Sequence, residues 1–136
     1  MGLRSTLAPP VTMCGQTVLV VDDDSSIRLL CRVNLELEGW AVREAASLDQ
    51  ARAELRRGGV DVVLLDVHVG SHDGAELLAE IRRDHPALPV AMLTGSVDHA
   101  VVEGNEADAV LFKPFSLEQL NETVRALTAQ AAGIAG

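Results

Sequence analysis

Four apolar runs in this sequence end on side chains that can do chemistry. "VLVVDDDSS", Val18 to Ser26, runs straight into Asp22, Asp23 and Asp24; "VDVVLLDV" ends on Asp66, "LPVAMLTG" on Thr94, and "DAVLFKPF" on Lys113. Two carboxylates about 4 Å apart repel by roughly 4 kcal/mol at an effective dielectric of ~20, so an acidic run needs a cation among its members or a route into solvent. Oxygen-only donors suit Mg²⁺, which keeps waters and shares its shell with phosphate. A threonine hydroxyl and a lysine ammonium both suit phosphoryl oxygens. A strand-end aspartate acting as nucleophile would form an acyl phosphate, helped mainly by positioning and charge neutralisation.

The elements that must position these groups follow from the pattern. Strand-length apolar runs alternate with segments of helical spacing. After the first run, "SSIRLLCRVNLELEG" spaces Leu30, Val33 and Leu37 as one face of a helix and stops at Gly39. "WAVREA" is a modest strand. Ser47 caps a helix carrying Leu48, Ala51 and Leu55, and Gly58-Gly59 ends it. Asp73-Gly74 opens another before Pro86, and Ser116 caps a last one with Leu117, Leu120, Val124 and Leu127. The order predicts an α/β fold: a doubly wound, flavodoxin-like parallel sheet of five strands, order 2-1-3-4-5, with five helices. Right-handed crossovers put every strand's carboxyl end on one edge, where such sheets bind ligands. Asp22, Asp23, Asp66, Thr94 and Lys113 all fall there. A cis Lys113-Pro114 bond is one way to aim the lysine inward.

Bulk properties narrow the function. The chain has 136 residues and a formal charge of −9, which argues against a nucleic-acid surface. No apolar run approaches a membrane span. Cys14 and Cys31 form no disulfide framework or metal spacing, so a reducing cytoplasm is expected, with Cys31 a small core residue. Residues 1–15 read as a disordered leader, 16–130 as the domain and 131–136 as a flexible tail. "MGLRST" fits a loose myristoylation pattern that nothing else supports. His68, His72 and Asp73 could be taken for a transition-metal cluster, but exposed loop histidines are the simpler reading.

On "VLVVDDDSSIR", "DVVLLDVHVGSHDG", "AMLTG" and "FKPF", in that order and spacing, the chain resembles a response-regulator receiver domain. The resemblance covers about Thr17 to Ala129. It implies that Asp66 accepts a phosphoryl group from a histidine kinase or phosphotransfer domain. It implies Mg²⁺ held directly by Asp23, chiefly through water by Asp22, by Asp66 and by the His68 backbone carbonyl. Thr94 would bind a phosphoryl oxygen, Lys113 would pair with the phosphate, and Asp24 would face solvent. Output would pass by protein contact or phosphorelay, with no enzymatic turnover beyond the domain's own phosphotransfer and dephosphorylation.

Three features depart from the family. Val110 stands where an aromatic residue usually precedes the lysine by three, and Phe112 shares its strand face, core packing being the expected role. The stretch from Thr94 to Lys113 is about three residues short, nearly a helical turn, so the fourth helix is expected to be short or irregular. His68 and Gly70 replace the usual Met or Asn and Pro, and His68 and Ser96 would flank the phosphoryl group and tune its lifetime. Two rival readings remain: a pseudo-receiver that binds partners without phosphorylation, and a small haloacid-dehalogenase-type phosphatase using Asp22 and Asp24 as Asp-x-Asp.

Overall fold

The computed structural model describes residues 16–95 and 107–131. In chain order these form β1 (Thr17–Val21), α1 (Ser25–Leu37), β2 (Ala41–Ala45), α2 (Leu48–Arg57), β3 (Val62–Asp66), α3 (Gly74–Asp84), β4 (Val90–Thr94), β5 (Ala109–Phe112) and α4 (Leu117–Ala131). His68–Val69 and His72–Asp73 add a two-rung antiparallel hairpin between β3 and α3. The expected leader, Cys14, Ser96, the short helix before β5 and the extreme tail lie outside the described residues.

All five main strands are parallel, in the order β2-β1-β3-β4-β5. This is the doubly wound sheet expected from the sequence. Strands β1, β3 and β4 are buried along their whole length, which is why they read as unbroken apolar runs instead of alternating ones. Two cores result. Leu19, Val21, Val63, Leu65 and Met92 pack with α2 and α3 on one face; Val18, Val20, Leu64, Leu93 and Leu111 pack with α1 and α4 on the other.

Helix starts obey local chemistry. Asp24 caps α1 by accepting from the Ser26 N–H, Ser47 caps α2 through the Gln50 N–H, and Asp73 caps α3 through the Ala75 N–H. The Ser116 hydroxyl accepts from the Gln119 N–H at the head of α4. Gly58, which ends α2, has φ +79°, a conformation that strains any other residue.

One helix faces the opposite way from the expectation. Leu30, Val33 and Leu37 are 39%, 46% and 78% exposed, while Cys31 and Leu35 are fully buried. Helix α1 carries two apolar stripes, and the one with a buried cysteine meets the sheet. Leu29 joins the outer stripe. A smaller correction concerns α4, where Leu120, Val124 and Leu127 are core but Leu117 is largely exposed. No described helix is long and apolar enough to cross a membrane.

Candidate functional site

Strand alternation decides where the site's side chains go. Asp22 continues the face of Val18 and Val20, Asp66 that of Val62 and Leu64, and Lys113 that of Ala109 and Leu111, all toward α1 and α4. Thr94 continues Val90 and Met92 on the opposite face. Three groups of the site thus converge from one side of the sheet edge, and the fourth comes from the other.

The convergence is direct. The Lys113 ammonium donates to the Asp22 carboxylate at 2.9 Å and to the Asp66 carboxylate at 3.3 Å. Asp22 is fully buried, Asp66 is 9% exposed and Asp23 is exposed. Carboxylate oxygens of Asp22, Asp23 and Asp66 lie within 4.8 Å of one another. Three carboxylates facing one ammonium leave two negative charges in excess when all are ionised, and the donors are all oxygen. This donor set fits a small hard divalent cation. The sequence-predicted metal ligands are therefore brought together, with the His68 side chain itself exposed beside them.

Protonation follows the same electrostatics. Burial, and then the Asp22 charge, push Asp66 up to about 6; Lys113 and the His68 backbone N–H pull the other way. Burial works against the Lys113 charge, but hydrogen bonding and attraction from Asp22, and then Asp66, leave its pKa raised. Just beneath, burial and then Asp22 push the Cys31 thiol up to about 12, so it is an inert core group as expected.

The backbone around these groups is closely held. The Asp22 N–H donates to the Ala45 carbonyl at 3.1 Å, and Asp22 Oδ1 accepts from the Asp24 N–H at 2.9 Å. Arg28, to which the sequence reading gave no role, donates from Nη1 to the Asp22 carbonyl at 2.7 Å. At the acceptor strand, a Cβ on Gly74 would lie 2.2 Å from the Asp66 carbonyl oxygen. Any side chain there must displace either α3 or the Asp66 peptide. Glycine immediately after the α3 N-cap was the available signal for this close approach. Arg28 had only the weak signal of a lone cation one helical turn past an acidic run.

Thr94 is 1% exposed, and its hydroxyl has no hydrogen-bond partner among the described residues. A buried polar atom without a partner is uncommon and costs about 1–3 kcal/mol. Val110 is half-buried in β5, while Phe112, the β5 residue beside Thr94, is 45% exposed. Core packing for Phe112 is thus overturned: it ends the strand where the sheet edge opens. The Lys113-Pro114 peptide is cis. Among the described residues, the only metal-competent cluster of His, Cys, Asp and Glu is the aspartate one. His72 is exposed and Asp73 is occupied as a cap. Asp24 is likewise a cap outside the cluster, which removes the second carboxylate of an Asp-x-Asp phosphatase site.

Residues 18–125 match the response regulator receiver domain family. The chain is 39% identical over 117 residues to the transcriptional regulatory protein ResD of Bacillus subtilis, covering 84% of this chain and 48% of that one. It is 38% identical over 114 residues to the sensor kinase CckA of Brucella abortus, covering 80% of this chain and 12% of that protein. The chain thus spans about half, or less, of these relatives' length. Among solved structures, the receiver domain of NtrX from Brucella abortus superposes with a TM-score of 0.76 at 32% identity, over 82% of this chain and 97% of that one. A CheY-like receiver domain protein from Methanospirillum hungatei superposes with a TM-score of 0.81 at 26% identity, over 87% and 97%.

Proposed function

The chain belongs to the response-regulator receiver family, a family of phosphoacceptors in two-component signalling, and on that premise we propose that Asp66 is its phosphoacceptor, with Mg²⁺ as cofactor. The observation that carries this reading is the convergence of Asp22, Asp23 and Asp66 within 4.8 Å, with Lys113 bonded to two of them. An Asp66 carboxylate oxygen attacks the phosphorus of a phosphohistidine on a kinase or phosphotransfer protein. The phosphorus–nitrogen bond breaks with its electron pair going to the ring nitrogen, and a neutral imidazole leaves, keeping the proton already on its other nitrogen. The product on this chain is a mixed carboxylic–phosphoric anhydride.

Each residue has a part that its placement supports. Asp23 would hold the ion directly and Asp22 chiefly through water, beside Asp66, with the His68 backbone carbonyl as the further ligand the family resemblance implies. The ion supplies neutralisation of phosphoryl charge when bound. Lys113 bridges Asp22 and Asp66 by bonding both, offsetting their repulsion, and pairs with the added phosphate. Thr94 offers its unpaired hydroxyl to a phosphoryl oxygen. The outer stripe of α1 supports delivery by a protein donor. Leu29 and Leu30, its first members, lie within two turns of the helix end that follows the acidic run.

Output by protein contact, in the cytoplasm, follows from the same reading. Val110, which has no ring to move, favours a second reading, a pseudo-receiver that binds partners without phosphate. Incubation with acetyl phosphate separates the two. The phosphoacceptor gains one phosphoryl group by intact mass, only with Mg²⁺ and not in Asp66→Asn. A pseudo-receiver gains none and binds its partner regardless of Asp66.

A further inference from the structure

Asp23 is the exposed member of the acidic cluster, and no hydrogen bond of its side chain holds it there among the described residues. Its position is therefore set by the backbone of the turn between β1 and α1. The peptide plane that leads into Asp23 is the one whose carbonyl belongs to Asp22, and that carbonyl is gripped by Arg28 Nη1 at 2.7 Å. Arg28 is in turn fixed from a second direction. Its Nε donates to Glu44 on β2 at 3.0 Å, and the other Glu44 oxygen accepts from Arg32 at 2.8 Å. Hydrogen bonds from Arg32 and Arg28 outweigh burial and hold the Glu44 carboxyl below its ordinary range, so it is a constant anion.

The arrangement has an unusual economy of charge. Arg28 sits beside three consecutive aspartates yet bonds none of their carboxylates; it takes the carbonyl of Asp22 and the carboxylate of Glu44. Its charge is answered by Glu44, so the aspartate oxygens stay available to a cation. We propose that Arg28 is a positioning residue for the metal site, acting through the Asp22–Asp23 peptide plane, with Glu44 as its anchor. The inference rests on the Mg²⁺ reading above.

Charge and geometry predict opposite signs, which makes the idea sharp. Arg28 is a cation near a cation site, so by Coulomb's law alone its removal tightens Mg²⁺ binding. If it positions Asp23, removal loosens binding instead. Outer partners that orient metal ligands typically contribute about 10–100-fold in affinity, so Arg28→Met is expected to weaken Mg²⁺ binding about tenfold. Arg28→Lys keeps the charge but not the planar fork that spans carbonyl and carboxylate, and it should also lose affinity. Arg32→Met, which loses the same Glu44 but touches nothing in the turn, should keep wild-type affinity or bind slightly tighter.

The experiment is calorimetric titration of MgCl₂ into wild-type protein and these three variants, with thermal unfolding measured in parallel. Weaker binding in both Arg28 variants, with Arg32→Met unaffected, is the expected result. Equal or tighter binding in Arg28→Met while wild type binds overturns the positioning role and leaves the metal reading standing. If Arg28→Met fails to fold, Arg28→Lys decides alone, since wild-type affinity there reduces Arg28 to a charge. No Mg²⁺ binding by wild type overturns the metal reading, and this inference with it.

Discussion

At the sheet's carboxyl edge, Asp22 and Asp66, from the ends of β1 and β3, are both bonded to Lys113 after β5; at the end of β4, between β3 and β5, Thr94 keeps a buried hydroxyl with no partner among the described residues. The first region is assembled before any ligand arrives, through opposite charges that burial strengthens. The second bears an unmet hydrogen bond beside the exposed Phe112. The two regions divide the labour. Charges must be paired to be buried at all, so the metal and acceptor half cannot wait for its ligand. A neutral hydroxyl costs far less when unpaired, so the half that responds to a phosphoryl group can.

Breaking the assembled half should give the larger effects. Lys113→Ala leaves Asp22 fully buried without its cation, and should destabilise the protein by about 3 kcal/mol in urea unfolding at neutral pH. If Lys113→Ala unfolds like wild type, the pair is not what holds this region.

Asp66→Asn should do the reverse. Its folded pKa of about 6 lies above its unfolded value, so ionising Asp66 weakens the fold as pH rises through that range. In Mg²⁺-free buffer the variant should be more stable than wild type by roughly 1–3 kcal/mol at neutral pH, with the gain gone below about pH 4. A gain independent of pH would contradict the buried-charge account.

The waiting half should lose no stability and respond strongly in chemistry. Thr94→Val removes the orphan hydroxyl at nearly constant shape, and should leave stability unchanged or raise it by up to about 1–3 kcal/mol. The same variant should slow phosphoryl uptake from acetyl phosphate. A large loss of stability would mean that the hydroxyl has a structural partner after all.

The smallest effect belongs to the outer stripe of α1. Leu37→Ser should shift stability by less than about 0.5 kcal/mol. Leu35→Ala, two residues away but fully buried, should cost about 2–5 kcal/mol.

That last pair marks the limit of what the sequence discloses. Strand runs ending in Asp22, Asp66 and Thr94 were legible because fully buried parallel strands have no polar alternation to blur them, and the partly buried run before Lys113 is apolar all the same. Parallel winding then leaves one edge for their ends. The face of α1 was not legible. Leu30, Val33 and Leu37 satisfy helical spacing as well as Cys31 and Leu35 do, and periodicity reports that a stripe exists, not which stripe meets the sheet. Phe112 differs from the expectation for a related reason: alternation gives its side of the strand but not that the strand ends there, with its ring 45% exposed. Arg28 was invisible as a site residue because its target is a backbone carbonyl, which no side-chain motif encodes.

The central claim is that Asp66, and no other carboxylate of the cluster, carries the phosphoryl group. Protein treated with acetyl phosphate and Mg²⁺, then reduced with borohydride, converts an aspartyl phosphate to homoserine that peptide mass spectrometry can locate. The account predicts homoserine at position 66 alone. Homoserine at position 22 or 23, or phosphoryl uptake that persists in Asp66→Asn, would contradict it.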